Sequence, residues 1–510
     1  MLAKLYSYGL IGITGCLINV EVDITTGMQR VDTVGLPDNA VKESKERVRS
    51  AICNSGYAYP EMRVLVNLAP ADIKKEGTVY DLPIALGILA ARGIIPLHSA
   101  DDYIIIGELA LDGRVRSVTG VLPMVINAYE RGFRNIMLPY ENAEEASFFE
   151  DMNVFPVNNL NEACGHFRGV TRITPYPQLK WSEHRIAHTH DFSEIKGQQA
   201  AKRAAEIAAS GSHNLLMIGS PGSGKTMLAR SIPSILPELS MDESLEVTRI
   251  HSVAGELRGR GGIVTERPFR SPHHSASIPA LVGGGSHALP GEISLAHYGV
   301  LFMDELPLFP SAVLEALRQP LEDGVVTITR AAAKTTYPAD FMLVAAMNPC
   351  PCGNYGSKTK ECRCSQAQIE KYRSRISSPL LDRLDLHIEM NEIDYNELTS
   401  KASGESSETI RERVKKARDI QLKRYSGDGI RYNSQLTAPL MRKYCQMTDD
   451  AETLLHTAYD KLKLSARAYT RVIKVARTIA DINDEERIQK QHILEAVQYR
   501  GLEQKYWSSR

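Results

Sequence analysis

The chain has 510 residues, with 60 Lys plus Arg against 61 Asp plus Glu, a net charge of −1, and 43 % apolar residues. At a length of roughly three domains, this balance excludes a disordered chain, a collagen-like fibre and a small disulfide scaffold. The near-neutral charge also means that any nucleic-acid site must come from local clustering of cationic side chains. There is no run of about 20 apolar residues, so no membrane-spanning helix is expected. Four of the eight Cys fall within residues 350–364, which fits a metal or thiol cluster in a reducing compartment and an expected cytoplasmic location.

Residues 1–170 read as mixed strands and helices. The apolar, Gly-punctuated N-terminus has no small-residue cleavage site and reads as a buried strand. A strand follows at 64–68 (VLVNL) and an apolar helix at 82–91. Residues 103–106 and 109–115 suggest a hairpin around Asp112-Gly113. Short buried strands at 136–138 and 154–157 each precede a helix-like segment. Residues 171–192, with two Pro, three His and little periodicity, read as an exposed linker. From 193 to 392 strands alternate with helices and Gly-rich loops, the pattern of a parallel α/β sheet. From 393 to 510 only helical periodicity remains, clearest at 410–424 and 465–482.

The chemistry concentrates in the central segment. An apolar strand at 215–218 runs into Gly219-Ser220-Pro221-Gly222-Ser223-Gly224-Lys225-Thr226 and then a helix at 227–232. This is G-x-x-x-x-G-K-[ST] in its strand–loop–helix context. Glycines let backbone N–H groups turn toward phosphate oxygens, and the helix N-terminus adds partial positive charge. Lys225 is expected to reach the β- and γ-phosphates of ATP, and Thr226 to place a hydroxyl on Mg²⁺. The apolar run 300–303 delivers Asp304 and Glu305 to a strand end, where α/β sheets bind ligands. Asp304 suits Mg²⁺, and Glu305 suits orientation of the attacking water. A third apolar strand, 341–347, ends in Asn348, whose amide can hold that water or touch the γ-phosphate. Arg383, in a helix-to-strand corner at 380–386, suits stabilisation of a neighbour's transition state. Arg467 and Arg471, four apart on one helix face, suit a reach to the nucleotide from the C-terminal helices. Together these motifs point to an AAA+ ATPase.

The segments RSPHHSAS (270–277), GEISLAHYGVLFMDELP (291–307), AAMNPCPCG (345–353) and SARAYTRVIKVARTIAD (465–481) resemble the magnesium-chelatase-like AAA+ ATPases of the YifB/ComM type, over essentially the whole chain. The resemblance implies an α/β multidomain protein. Residues 1–170 would be an α+β domain similar to the Lon protease C-terminal (ribosomal S5 domain 2-like) fold. Residues 193–392 would form a P-loop AAA+ core of the helix-2-insert type, and 393–510 an all-α lid. It further implies an insert at 255–285, a hairpin at 322–338 with Arg330 and Lys334 flanking its tip, a finger role for Arg383 and a sensor role for Arg467, with Arg471 as the second choice. In related rings the insert and hairpin line a central pore. Where Lon-like proteases carry a Ser–Lys dyad, this chain has Val79 and Leu122, so neither nucleophile nor base is present. The domain then reads as a scaffold or DNA-binding module.

Cys350, Cys352, Cys362 and Cys364 form C-x-C, nine residues, C-x-C. Four thiolates suit tetrahedral Zn²⁺, although C-x-C is tighter than the usual spacing; reduced cysteines in a structural loop are the alternative. Basic residues cluster at 411–443 and 358–375, matching either a phosphate backbone or solvated helix faces. With two Trp in the chain, contact with the DNA backbone is favoured over sequence readout. The resulting expectation is a ring motor, a hexamer by family resemblance, that hydrolyses ATP and acts on branched or single-stranded DNA as a helicase or branch-migration enzyme in recombination or natural transformation. The alternative is a chelatase- or chaperone-like ATPase remodelling a protein partner. A Lon-type protease is disfavoured by Val79 and Leu122.

Overall fold

The computed structural model describes the chain except for residues 180–188, 258–261, 286–287, 330–333, 358–359, 393–403 and 508–510. It divides into two compact units. One comprises Met1–Glu183, Met241–Val264 and Thr329–Thr335; the other comprises His184–Ser240, Thr265–Ile328 and Thr336–Arg510. These units cut across the contiguous blocks read from the sequence. The helix Met241–Ala254 belongs to the first, where the Gly120 N–H donates to the Ser252 carbonyl (3.1 Å) and the Ser252 hydroxyl to Glu145 (3.0 Å). Residues 180–188 of the linker, the hairpin tip with Arg330, and residue 393 at the 392/393 boundary lie outside the described residues.

The first unit is built on a seven-stranded mixed sheet. Its long hairpin, Leu2–Ile11 with Thr14–Thr25, alternates its side chains so that Ile18, Val20, Val22 and Ile24 share the buried face. The helix Asp81–Ala91 is buried on all sides, which explains its lack of a polar face. One local expectation is corrected. Tyr103–Ile105 is an inner strand, parallel to both Leu2–Ile11 and Asn135–Pro139. The hairpin around Asp112-Gly113 pairs Glu108–Leu109 with Val115–Arg116. Ile104, Ile105 and Ile106 are fully buried, a run suited to a strand covered on both faces rather than to a hairpin arm.

The second unit carries a five-stranded sheet whose pairings are all parallel. Its order is Phe269–Arg270, Val300–Met303, Met342–Met347, Leu215–Gly219, Leu386–Met390. The first strand in sequence, Leu215–Gly219, thus lies between the fourth and the fifth, so the strand order reverses beside it, where α/β sheets take ligands. Phe269–Arg270 lies within the segment expected to be an insert, yet it is the sheet's edge strand; two residues are too few to show periodicity. The helices Ser407–Arg424 and Ala466–Ile482 start at Ser406 and Ser465, whose hydroxyls accept from the N–H groups of Thr409 and Ala468. They pack with Gln199–Gly211 in one unit, Arg418 donating to the Ala209 carbonyl (2.9 Å) and Gln421 to that of Ser210 (2.9 Å).

Candidate functional site

Three parallel strands end side by side, and each delivers part of one site. Leu215–Gly219 is fully buried and opens into the glycine-rich loop, followed by the helix Lys225–Ser231. The glycines have different reasons to be there. Gly222 and Gly224 hold φ of +83° and +89° with open space around a would-be Cβ, so conformation demands them. A Cβ on Gly219 would meet the Met390 carbonyl oxygen at 2.6 Å, so close packing demands it. Lys225 is buried, and its ammonium donates to the carbonyls of Gly219 (2.7 Å) and Ser220 (2.9 Å) and to Asn348 Oδ1 (3.3 Å). Burial pulls its pKa below the usual lysine value, while Asp304 and Glu305 act in the opposite sense.

Val300–Met303, buried throughout, brings Asp304 to Thr226, whose hydroxyl donates to Asp304 Oδ2 (2.9 Å). Asp304 Oδ1 accepts from the Glu305 N–H (2.9 Å). Glu305 adopts a left-handed backbone, φ 52° and ψ 44°. For a non-glycine residue that costs about 1–3 kcal/mol and is concentrated at functional positions. Its carboxylate, half exposed, lies 3.8 Å from His274 Nδ1. His274 falls in RSPHHSAS, but nothing in the sequence pairs it with Glu305. Gln198 is a second residue without a spacing signal: its amide donates to the carbonyls of Ser223 (3.2 Å) and Asn391 (2.6 Å), tying the phosphate loop to the end of the outer strand.

Lys225, Thr226, Asp304, Glu305 and Asn348 are therefore brought together. A hydroxyl and a carboxylate in contact, beside a lysine on a glycine loop, form a donor set that fits Mg²⁺ and a nucleotide's phosphates.

The arginines stand apart from this cluster. Arg383 donates to the carbonyls of Arg318 (3.1 Å) and Pro379 (2.8 Å) and pairs with Glu322. Arg471 pairs with Asp385 (3.1 Å), and Arg467 lies 3.5 Å from Asp382. Both helix arginines thus engage acids flanking Arg383. Spacing placed them on one face but could not say what that face meets.

The four cysteines converge, all Sγ atoms lying within 4.8 Å of one another. Val79 and Leu122, at the positions of the missing dyad, are buried core residues. The basic run at 411–443 is largely consumed internally. Arg411, Arg413, Lys416, Arg424 and Lys443 pair with Glu238, Glu206 and Glu405, Asp484, Asp481 and Asp428. Arg418 and Arg431 stack on Tyr432 and Tyr298. Lys415, Lys423 and Arg442 remain exposed. In the second run, Arg373 is buried between Tyr355 and Tyr506, Arg375 donates to the Pro307 carbonyl, and Lys358 lies outside the described residues. Of the hairpin, the strands Val325–Thr329 and Lys334–Pro338 are described, and Lys334 is exposed. No helix among the described residues is long and apolar enough to cross a membrane.

Comparison with known proteins places this geometry in context. Residues 20–142 match the family model for subunit ChlI of Mg-chelatase, 191–398 that for magnesium chelatase, subunit ChlI, and 404–500 that for the ChlI C-terminal region. The chain is 44 % identical over 506 residues to the competence protein ComM of Haemophilus influenzae, covering 98 % of both chains. It is 43 % identical over 509 residues to the uncharacterized protein YifB of Escherichia coli, covering 98 % of this chain and 97 % of that one. Similarity to the magnesium-chelatase 67 kDa subunit of Chlorobaculum parvum is more local, 31 % over 162 residues, or 31 % of this chain and 23 % of that protein.

Proposed function

The chain belongs to the YifB/ComM-type family of magnesium-chelatase-like AAA+ proteins, which implies ATPase activity, and on that premise we propose that it is a ring motor, a hexamer, that spends ATP to move DNA strands by branch migration or helicase action. The observation that carries the ATPase half is the 2.9 Å contact between Thr226 and Asp304 beside Lys225 and Glu305. The DNA half rests on near-full-length identity to a competence protein, which favours a role in natural transformation or recombination.

In this reading Thr226 and Asp304 hold Mg²⁺, which neutralises phosphate charge when bound. The backbone of residues 219–226 and Lys225 bind and orient the phosphates. Glu305 orients and polarises water, with Asn348 beside it. His274 Nδ1 lies 3.8 Å from the Glu305 carboxylate, on the edge of this site. Arg383 supplies positive charge to the neighbouring subunit's site. Because Arg467 and Arg471 attach to the acids flanking Arg383, we assign all three to that same subunit edge. Non-specific DNA contacts fall to the hairpin carrying Lys334 and to the parts of 255–285 other than the edge strand Phe269–Arg270 and the site residue His274. The N-terminal α+β region is read as Lon-C-like without a dyad, serving as scaffold or DNA module. A reducing, cytoplasmic setting accords with eight free thiols.

A labelled four-way junction should be converted to duplex arms in the presence of ATP by the wild type and not by Glu305→Gln. Failure on junctions, forks and single strands alike contradicts the DNA assignment. A second reading, an ATPase that remodels a protein partner, draws on one observation: most of the basic run at 411–443 is already paired within the chain.

A further inference from the structure

We propose that Cys350, Cys352, Cys362 and Cys364 hold one Zn²⁺, and that this ion braces the phosphate loop from behind.

The cluster is half exposed: Cys352 is exposed and Cys362 and Cys364 are intermediate, with Cys350 alone buried. Packing of small apolar side chains therefore does not explain four thiols in one place. The Sγ separations of 3.4 Å (Cys350–Cys352), 3.6 Å (Cys350–Cys362) and 3.7 Å (Cys352–Cys362) are far longer than a disulfide of about 2.05 Å. They are close to the edge of about 3.8 Å that a tetrahedron of sulfurs has around zinc at about 2.3 Å. The loop supplies further support for thiolates. The Tyr355 N–H donates to Cys350 Sγ (3.3 Å), the kind of outer contact that orients a metal ligand. Gly353 makes the tight turn at φ +81°, its N–H donating to the Cys350 carbonyl (3.0 Å).

Two connections join this loop to the phosphate site. Upstream, Asn348 and Pro349 lead straight into Cys350, and Arg373 grips the Pro349 carbonyl with Nε (3.1 Å) and Nη2 (2.9 Å). Sideways, Gly353 lies against Pro221 so closely that a Cβ there would sit 2.5 Å from the proline Cδ. The metal joins the two C-x-C pairs into one element between a site side chain and the glycine loop. The brace, unlike the metal site, rests on the nucleotide reading given above.

The test begins with metal analysis of the full chain purified without chelators. One zinc per chain is expected, and after zinc is displaced with a mercurial and the mercurial is stripped off with excess thiol and removed, one equivalent of Co²⁺ should give the intense visible bands of tetrahedral thiolate coordination. Well under one zinc, together with a weak octahedral cobalt spectrum, overturns the site. The double variant Cys362→Ser, Cys364→Ser should lose zinc and bind a fluorescent ATP analogue about 2- to 30-fold more weakly, the range of an indirect coupling. Should that variant not fold, stepwise zinc removal from the wild type, read by the same binding assay, takes its place. Unchanged nucleotide affinity after zinc loss overturns the brace. Full zinc with no nucleotide binding in the wild type overturns the nucleotide reading and leaves the metal site standing.

Discussion

Gly353→Ala tests whether the phosphate loop depends on the loop behind it, and Gly356→Ala supplies its control. Both glycines are left-handed, at φ +81° and +80°. An added Cβ at 353 would lie 2.5 Å from Cδ and 2.7 Å from Cγ of Pro221, whereas one at 356 meets nothing within 4 Å. Each substitution therefore carries the same backbone cost of about 1–2 kcal/mol. Only the first also requires Pro221 to retreat by about 1 Å to restore a carbon–carbon contact of about 3.5–4.0 Å. A displacement of about 1 Å at a positioning element costs up to ~10²-fold in rate. Thermal melting should show both variants destabilised, Gly353→Ala by the larger amount, while steady-state ATP turnover at a temperature where both are folded falls by about 10- to 100-fold in Gly353→Ala and stays near wild type in Gly356→Ala. Equal turnover in the two variants refutes the coupling.

Glu305→Gln should bind ATP with wild-type affinity yet turn it over ~10²–10⁴-fold more slowly; full hydrolysis removes Glu305 from the water-orienting role. Arg383→Ala should lose about 10³–10⁵ in turnover. If the arginine acts across subunits, mixing it with Lys225→Ala restores part of the activity, because some interfaces then combine an intact lysine with an intact arginine; no recovery in the mixture argues for action within one chain. In the first unit, Glu145 is buried and accepts from Asn142 (2.8 Å) and Ser252 (3.0 Å), and burial raises its pKa from 4.5 to about 7. The folded state then binds the proton more tightly than the unfolded state, so its contribution to stability falls as pH rises from 4.5 to about 7. Glu145→Gln should accordingly be more stable than wild type at pH 8, by roughly 3 kcal/mol at most, and the difference should vanish toward pH 4.5 in thermal melts. A gap that widens on acidification contradicts this sign.

The parts of the molecule legible in the sequence are those whose signal is local. Gly219 to Thr226 form a contiguous string, and the runs before Asp304 and Asn348 are apolar enough to be buried strands, as Val300–Met303 and Met342–Met347 are. Their adjacency follows from the sheet order, which no single run encodes. The same limit explains the misread hairpin: Tyr103–Ile105 is close in sequence to Leu109 but pairs with residues 6 and 135–137. Phe269–Arg270 was too short to register. Charge counting at 411–443 could not show the ion pairs there, since the partners Glu206, Asp481 and Asp484 lie far away along the chain. His274 and Gln198 carry no spacing signal, because their roles arise only where Glu305 and the Ser223 carbonyl come within reach. The two C-x-C pairs stand out in the sequence, but the close approach of Gly353 to Pro221 does not.

The central claim, an ATP motor that works on DNA, is tested most directly by the steady-state ATPase rate of the purified chain alone, with single-stranded DNA, with a four-way junction and with an unfolded protein, at low and high salt, and with Glu305→Gln as the blank. The account predicts stimulation by DNA that declines steeply with salt, as phosphate contacts require, with the junction the strongest stimulant. Stimulation by unfolded protein and none by either DNA contradicts it.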